Sequence, residues 1–201
     1  MAAGRGPEID RFGSVDSVRT PIMQNFVQTR PYIGRTVSAA THAHLQSWAE
    51  TFLRTHAGLF SERVHAGKIV DGHGDLHLRN MCKFDGRVLI LDCIEFNPAL
   101  RAGDVMNDIA FLIMDLDHRA LAAHANRFLN EYLEQTRDYA GLTLLDFYRF
   151  YRACVRAKVS AFLADSAETG TERAAAQRDT AAYFALAHGY LAQRPAGLII
   201  T

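Results

Sequence analysis

The chain carries no excess charge of either sign, since 22 Lys and Arg stand against 22 Asp and Glu. Nothing in that balance favours nucleic acid or an anionic membrane as a partner. Cysteine is scarce: Cys82, Cys93 and Cys154 are scattered. Their spacing matches neither a disulfide framework nor a metal-binding set, which fits a reducing cytoplasm. No apolar run approaches the roughly 20 residues of a membrane-spanning helix. Met1 to Gly6 offers no signal-peptide core. Internal repeats and low-complexity tracts are missing. So are a Gly-x-Gly-x-x-Gly before residue 68, a strand there bearing a phosphate-directed lysine, and a Gly-x-x-x-x-Gly-Lys-Ser/Thr anywhere. With 201 residues and 49% hydrophobic residues, the chain suits one globular domain with a sizeable core.

Helical patterns fill most of its length. Thr20-Pro21 reads as a cap followed by proline at the first helical position, opening a short helix to about Gln28. From about Ser38 to His65, Leu45, Trp48, Phe52, Leu59 and Phe60 recur at helical spacing, with Gly58 as an interruption and Gly67 as a stop. The histidines of this stretch (His42, His44, His56 and His65) read as exposed or partly buried helix residues, because none pairs with a second ligand at a convincing spacing. Asp104 opens a helix to about Leu116 that is apolar nearly all round and should be central. Its one interior charge, Asp108, needs donors, and the nearest are backbone N–H groups of the segment around His73 to Asp75. Amphipathic helices follow at about 119–139, 143–165 and 170–192.

The most informative stretch is Asp71-Gly72-His73-Gly74-Asp75-Leu76-His77-Leu78-Arg79-Asn80. Two strand-like runs follow, separated by Asp85-Gly86, the signature of a type I′ hairpin whose central residues need φ > 0. The second run ends at Asp92. Such a hairpin returns the chain, so Asn80 and Asp92 meet at one end. An amide oxygen and a carboxylate there suit a hard cation such as Mg²⁺. Asp75 lies on the preceding loop. The set Asp75, Asn80 and Asp92 has the parts of a phosphoryl-transfer site: a carboxylate for the attacking hydroxyl, and ligands for a metal on the phosphates. The spacing from Asp75 to Asn80 is that of a kinase catalytic loop. Each residue also has a plainer reading, as a turn or backbone-capping side chain. Gly74-Asp75-Leu76-His77 also looks like the start of a metallophosphoesterase, with Asp75 and His77 as ligands, but no second strand-end cluster of ligands follows. A non-catalytic kinase-like binding or regulatory module is a further alternative.

His73-Gly74-Asp75-Leu76-His77 with Asn80 resembles the aminoglycoside phosphotransferase-like branch of the protein-kinase-like fold. Leu91 to Asn97 and Gly103 to Leu112 look closer still to the phosphotransferase part of bacterial proteins that join it to a P-loop ATP-binding domain. The resemblance spans residues 8 to 192. It implies an α+β, mainly helical fold like the large lobe of that family. Residues 1–37 would be an irregular lead-in with one short helix, residues 38–193 the lobe, and residues 194–201 a linker and the start of a truncated strand. It implies a kinase using ATP and Mg²⁺ on a hydroxyl of a small molecule. Asp75 would be the catalytic base, and Asn80 and Asp92 the metal ligands. His73, His77 and Asp108 would support the loop or the phosphate. By the same resemblance the chain is a cytoplasmic fragment, lacking the small lobe in front and a P-loop domain behind.

Overall fold

The computed structural model describes residues 6–192. The expected linker and strand at 194–201 lie outside the described residues. A short helix, α1 (Pro7–Asp10), and a 3₁₀ turn lead into α2 (Val15–Thr29). The lead-in is therefore more ordered than expected, and its helix starts earlier. Ser14 caps α2, accepting from the Ser17 N–H at 3.2 Å. Pro21 sits inside the helix rather than at its start. Thr20 turns its hydroxyl back to the Asp16 carbonyl at 3.0 Å instead of capping. A Ser cap with a free N–H partner outcompetes the Thr-Pro signal, since proline costs the helix only one hydrogen bond where tertiary packing holds it.

The long helical pattern beyond it is two helices, α3 (Ala39–Thr55) and α4 (Ala57–His65). The break falls at His56, whose backbone leaves the helical region at φ −114° and ψ 20°. Its ring stacks on Phe52 at 4.2 Å. His42 departs from the expected exposure: it is buried, its ring 3.1 Å from the Thr29 hydroxyl, and burial holds its pKa below the ordinary histidine value.

Two three- and four-residue strand pairs follow. Strand β1 (Ile69–Asp71) runs into the loop of interest, and β2 (Met81–Phe84) and β3 (Arg87–Ile90) form the hairpin. Its register pairs Met81 with Ile90 and Phe84 with Arg87. Asp85 and Gly86 take φ values of 48° and 74°, as a type I′ turn demands. The segment after the hairpin forms a one-turn helix, α5 (Pro98–Arg101), and a strand, β4 (Ala102–Asp104). Asn97 caps the turn through Ala99 N–H at 3.0 Å, and β4 pairs antiparallel with β1.

The remaining helices are α6 (Val105–His118), α7 (Ala122–Thr136), α8 (Leu142–Ser166) and α9 (Gly170–Gly189). They match the expected pattern within a few residues, the usual uncertainty of helix ends. The fold is thus α+β and mainly helical. Helix α6 is central as its sequence requires: Met106, Ala110, Phe111 and Met114 are fully buried. It lies against α7 and α8, and α8 also carries α9. On the other side of α8, Phe52 stacks on Phe147 at 4.5 Å and Trp48 meets Phe150 edge-on at 4.8 Å. No helix among the described residues is long and apolar enough to cross a membrane.

Candidate active site

Helix α6 holds the Gly72–Asn80 loop from beneath by two carboxylates. Asp108 accepts from the N–H groups of His73 and Gly74, at 2.7 and 2.9 Å. Seven residues on, and so two turns along the same face, Asp115 accepts from the Leu78 N–H at 3.0 Å. One rigid helix thus fixes both ends of the loop. The Asp108 contact is the one its sequence requires, and its side chain is 15% exposed. Asp115 was not singled out in the sequence, although a second carboxylate at i+7 of an apolar helix was the available signal.

The loop needs glycine where it presses on its supports. Gly74 has φ 80°, and a Cβ there would lie 2.7 Å from the Leu100 carbonyl oxygen. From the other side, Arg152 donates to the Gly74 carbonyl at 2.9 Å and to Asn107 Oδ1 at 2.8 Å. Its guanidinium also lies over the Phe111 ring at 4.6 Å. Arg152 occupies a position on the apolar stripe of α8, a charge where the pattern asks for a core residue. That misfit was its only sequence signal.

Asp75 has the densest polar surroundings of the loop. Its Oδ2 accepts from Asn80 Nδ2 at 3.0 Å and lies 3.3 Å from His77 Nε2. The same Asn80 amide donates to the Asp75 backbone carbonyl at 3.0 Å. Neither side-chain contact uses Oδ1. Burial by itself raises the Asp75 pKa; the hydrogen bond and charge of His77, the Asn80 amide and the charge of Arg152 outweigh it, and the net shift is downward. Asp75 is therefore a carboxylate at neutral pH.

His77 is buried under the loop, edge-on to Phe111 at 5.4 Å, and its Nδ1 has no partner among the described residues. It packs beneath the loop with its Nε2 toward the Asp75 carboxylate. His73 acts as a brace. Its Nε2 meets the Leu91 carbonyl at 2.9 Å and its Nδ1 takes the Asp75 N–H at 3.2 Å. One neutral tautomer, with the proton on Nε2, satisfies both contacts. That brace ties the loop to the end of the hairpin.

The hairpin does bring Asn80 and Asp92 together. Leu91 N–H donates to the Asn80 carbonyl at 2.8 Å, and Asp92 follows directly in the left-handed region at φ 60°. A non-glycine residue held there signals a local constraint. Asp92 is exposed, and among the described residues it makes no ion pair. Because the Asn80 amide nitrogen is engaged by Asp75, its Oδ1 is the atom left for a ligand. Among the described residues no group of three or more His, Cys, Asp or Glu is arranged to hold a metal. Two oxygen ligands suit Mg²⁺ when phosphate oxygens and water complete the shell. They do not suit the ligand-rich two-metal site of a phosphoesterase.

Asp75 and Asp92 line one open cavity of about 860 Å³. Its walls come from α2, from α8 and from the segment after the hairpin, which includes Glu95. Arg101 positions that segment: it binds Asp71 through two bonds of 2.5 and 2.9 Å and the Ile94 carbonyl at 3.1 Å. Arg101 is thereby committed to the scaffold, while Arg79 is exposed. Cys82 and Cys93 are free and exposed, and Cys154 is free and buried.

Over 157 residues the chain is 36% identical to the uncharacterized protein Rv2004c of Mycobacterium tuberculosis and to the uncharacterized protein Mb2027c of Mycobacterium bovis. The match covers 78% of this chain, which spans 32% of the length of those relatives. No family model matches the chain, and no solved structure does.

Replacing Asp108 by alanine is expected to destabilise the fold by about 2–4 kcal/mol, because two loop N–H groups lose their acceptor together. Urea unfolding measures it. An unchanged midpoint would show that the loop does not depend on α6.

Proposed function

We propose that the chain is the large-lobe part of a kinase-like phosphotransferase that moves the γ-phosphoryl group of ATP to a hydroxyl of a small molecule. The observation that carries this reading is the joint placement of Asp75, Asn80 and Asp92. They lie at the meeting point of a helix-backed loop and a hairpin end, with Asp75 and Asp92 facing one cavity. The acceptor hydroxyl would donate to Asp75 Oδ1, the oxygen free of internal contacts. With Oδ2 fixed by Asn80 and the loop fixed by Asp108 and His73, the carboxylate is preorganised to align that hydroxyl. Asn80 Oδ1 and the Asp92 carboxylate would hold Mg²⁺, which would neutralise charge on the transferring phosphates.

ATP needs more surface than these residues offer, so a small lobe and a P-loop domain elsewhere in a longer protein belong to the proposal. The length of the relatives supports it. So does the hairpin, which leaves Phe84, Val88, Leu89 and Ile90 exposed, with Phe96 beside them. Val88 and Ile90 lie on one face of the hairpin and Phe84 and Leu89 on the other, so both faces carry exposed apolar side chains that a neighbouring part of a longer protein would cover. A cytoplasmic setting, where ATP is plentiful, completes the reading.

The test is nucleotide binding by calorimetry with and without Mg²⁺. In a protein that includes the small lobe, Asp92→Ala should weaken Mg²⁺-dependent ATP binding about tenfold or more, since losing even an outer-shell partner of a metal typically costs roughly 10–100-fold in affinity. ATP binding indifferent to Mg²⁺ and to Asp92 would refute the assignment. Binding without transfer to any hydroxyl would leave the non-catalytic module.

A further inference from the structure

The cavity over Asp75 also carries a cation that phosphoryl transfer does not use. Five charged side chains line it: Asp75, Asp92, Glu95, Arg152 and Lys158. Asp75 and Asp92 belong to the proposed chemistry, and Arg152 is consumed by Gly74 and Asn107. Glu95 is exposed at the mouth. Lys158 differs from all of these. It is half-buried on α8, and among the described residues it has no carboxylate within ion-pair distance. Burial alone depresses its pKa, so the ammonium lacks the compensation that buried cations require. On the cavity lining α2 adds Asn25, which is 3% exposed and whose Nδ2 has no hydrogen-bond partner among the described residues. Lys158 and Asn25 both line the same cavity, beside apolar residues such as Val155, Val159 and Leu100 and polar ones such as Gln24 and Tyr151.

We infer that this cavity takes an anionic group of the acceptor, a carboxylate or a phosphate, bound by Lys158 while the acceptor hydroxyl meets Asp75. The inference rests on the phosphotransferase reading for the hydroxyl, but not for the anion. Helix geometry sets the size of such a molecule. Lys158 follows Arg152, which grips the loop next to Asp75, by six residues, or about 9 Å of helix rise at 1.5 Å per residue. That is the reach of a sugar phosphate or a sugar acid. A polycationic acceptor such as an aminoglycoside would set an ammonium against Lys158, which no carboxylate approaches within ion-pair distance among the described residues.

The experiment is ligand-observed NMR titration of the 201-residue chain, without ATP, against four compounds of one carbon skeleton: glucose 6-phosphate, gluconate, glucose and glucosamine. At least one of the two anions should bind tenfold or more tighter than glucose, with glucosamine weakest. Which anion wins separates phosphate from carboxylate. Lys158→Gln should abolish the preference and Lys158→Arg should keep it, both with an unchanged melting temperature. Binding of glucose or glucosamine as tight as that of the anions, no binding by any of the four, or a preference that survives Lys158→Gln would overturn the inference. Anion binding that obeys Lys158 in a protein that never transfers phosphate would leave this site standing and remove the phosphotransferase reading.

Discussion

Replacing Arg63 by methionine should cost the fold about 3–5 kcal/mol, the usual penalty for stripping one partner from a buried ion network. Arg63 is nearly inaccessible. It donates to both oxygens of Asp104, at 2.7 Å each, and to both of Asp138, at 2.5 and 2.9 Å. Asp104 in turn caps α6 through the Met106 N–H at 2.9 Å, and Asp138 also takes the Tyr132 hydroxyl at 2.7 Å and lies 3.5 Å from Lys68 Nζ. One guanidinium therefore joins α4, the start of the central helix and the turn after α7. Burial alone lowers the Arg63 pKa, but the two carboxylates outweigh it and the net shift is upward, so its charge is permanent. Removing it strands two carboxylates in the interior. Thermal unfolding should show a drop of about 10 °C or more at this chain length. Adding Asp138→Asn to Arg63→Met should recover part of the loss, because one stranded charge disappears, and the double mutant should fall short of additivity. A fully additive pair would mean that the network is not coupled. The pH dependence has a definite sign. Burial raises the Asp138 pKa, yet Arg63 and Tyr132 overcome it and leave the value depressed. Its contribution to stability is then complete above the unfolded-state carboxylate pKa and is lost as pH falls through the depressed folded value.

Arg63 also marks where sequence reading stops. The hairpin was legible because Asp85-Gly86 is a local chemical signal, and the backbone angles obey it residue by residue. Asp108 was legible because a carboxylate on an apolar helix must find donors, and the loop offered the nearest. Strands β1 and β4 were not, since three residues carry no periodicity and their pairing depends on chain segments thirty positions apart. The start of α2 was missed because two cap signals, Ser14 and Thr20, compete locally and packing decides between them. Arg63, Arg152 and Asp115 were missed for one shared reason. Each is a charge on a buried helix face, and its partners come from elements remote in sequence. The trio Asp75, Asn80 and Asp92 was proposed from spacing, and the fold does gather it around one loop and one hairpin end. Lys158 had no signal in the sequence, because an unpaired cation can be seen only after the walls around it are known.

Asp75→Asn should slow phosphoryl transfer by roughly 10²- to 10⁴-fold, the range for a positioned acid–base group, in a protein that contains the remaining parts of the proposed site. Nucleotide binding should hardly change, since the amide is isosteric and Asn80 and Asp92 are untouched. The reason lies in the carboxylate's setting. Oδ2 is occupied by Asn80 and His77, and Oδ1 is left for the acceptor hydroxyl. An amide in that place keeps the shape and loses the negative charge that accepts a proton. The pH profile supplies an independent check. Because the Asp75 pKa is depressed in the unliganded protein, the acid limb of kcat/KM assigned to Asp75 should lie below the ordinary carboxylate range, activity being lost as pH falls through the folded value. His77→Leu removes the hydrogen bond and the charge that contribute most to that depression, so the same limb should move to higher pH while transfer persists. Single-turnover kinetics across pH measures both variants. An Asp75→Asn enzyme that transfers phosphate at the wild-type rate would exclude Asp75 from the chemistry. A limb that stays in place in His77→Leu would show that His77 packs beneath the loop without tuning the carboxylate above it.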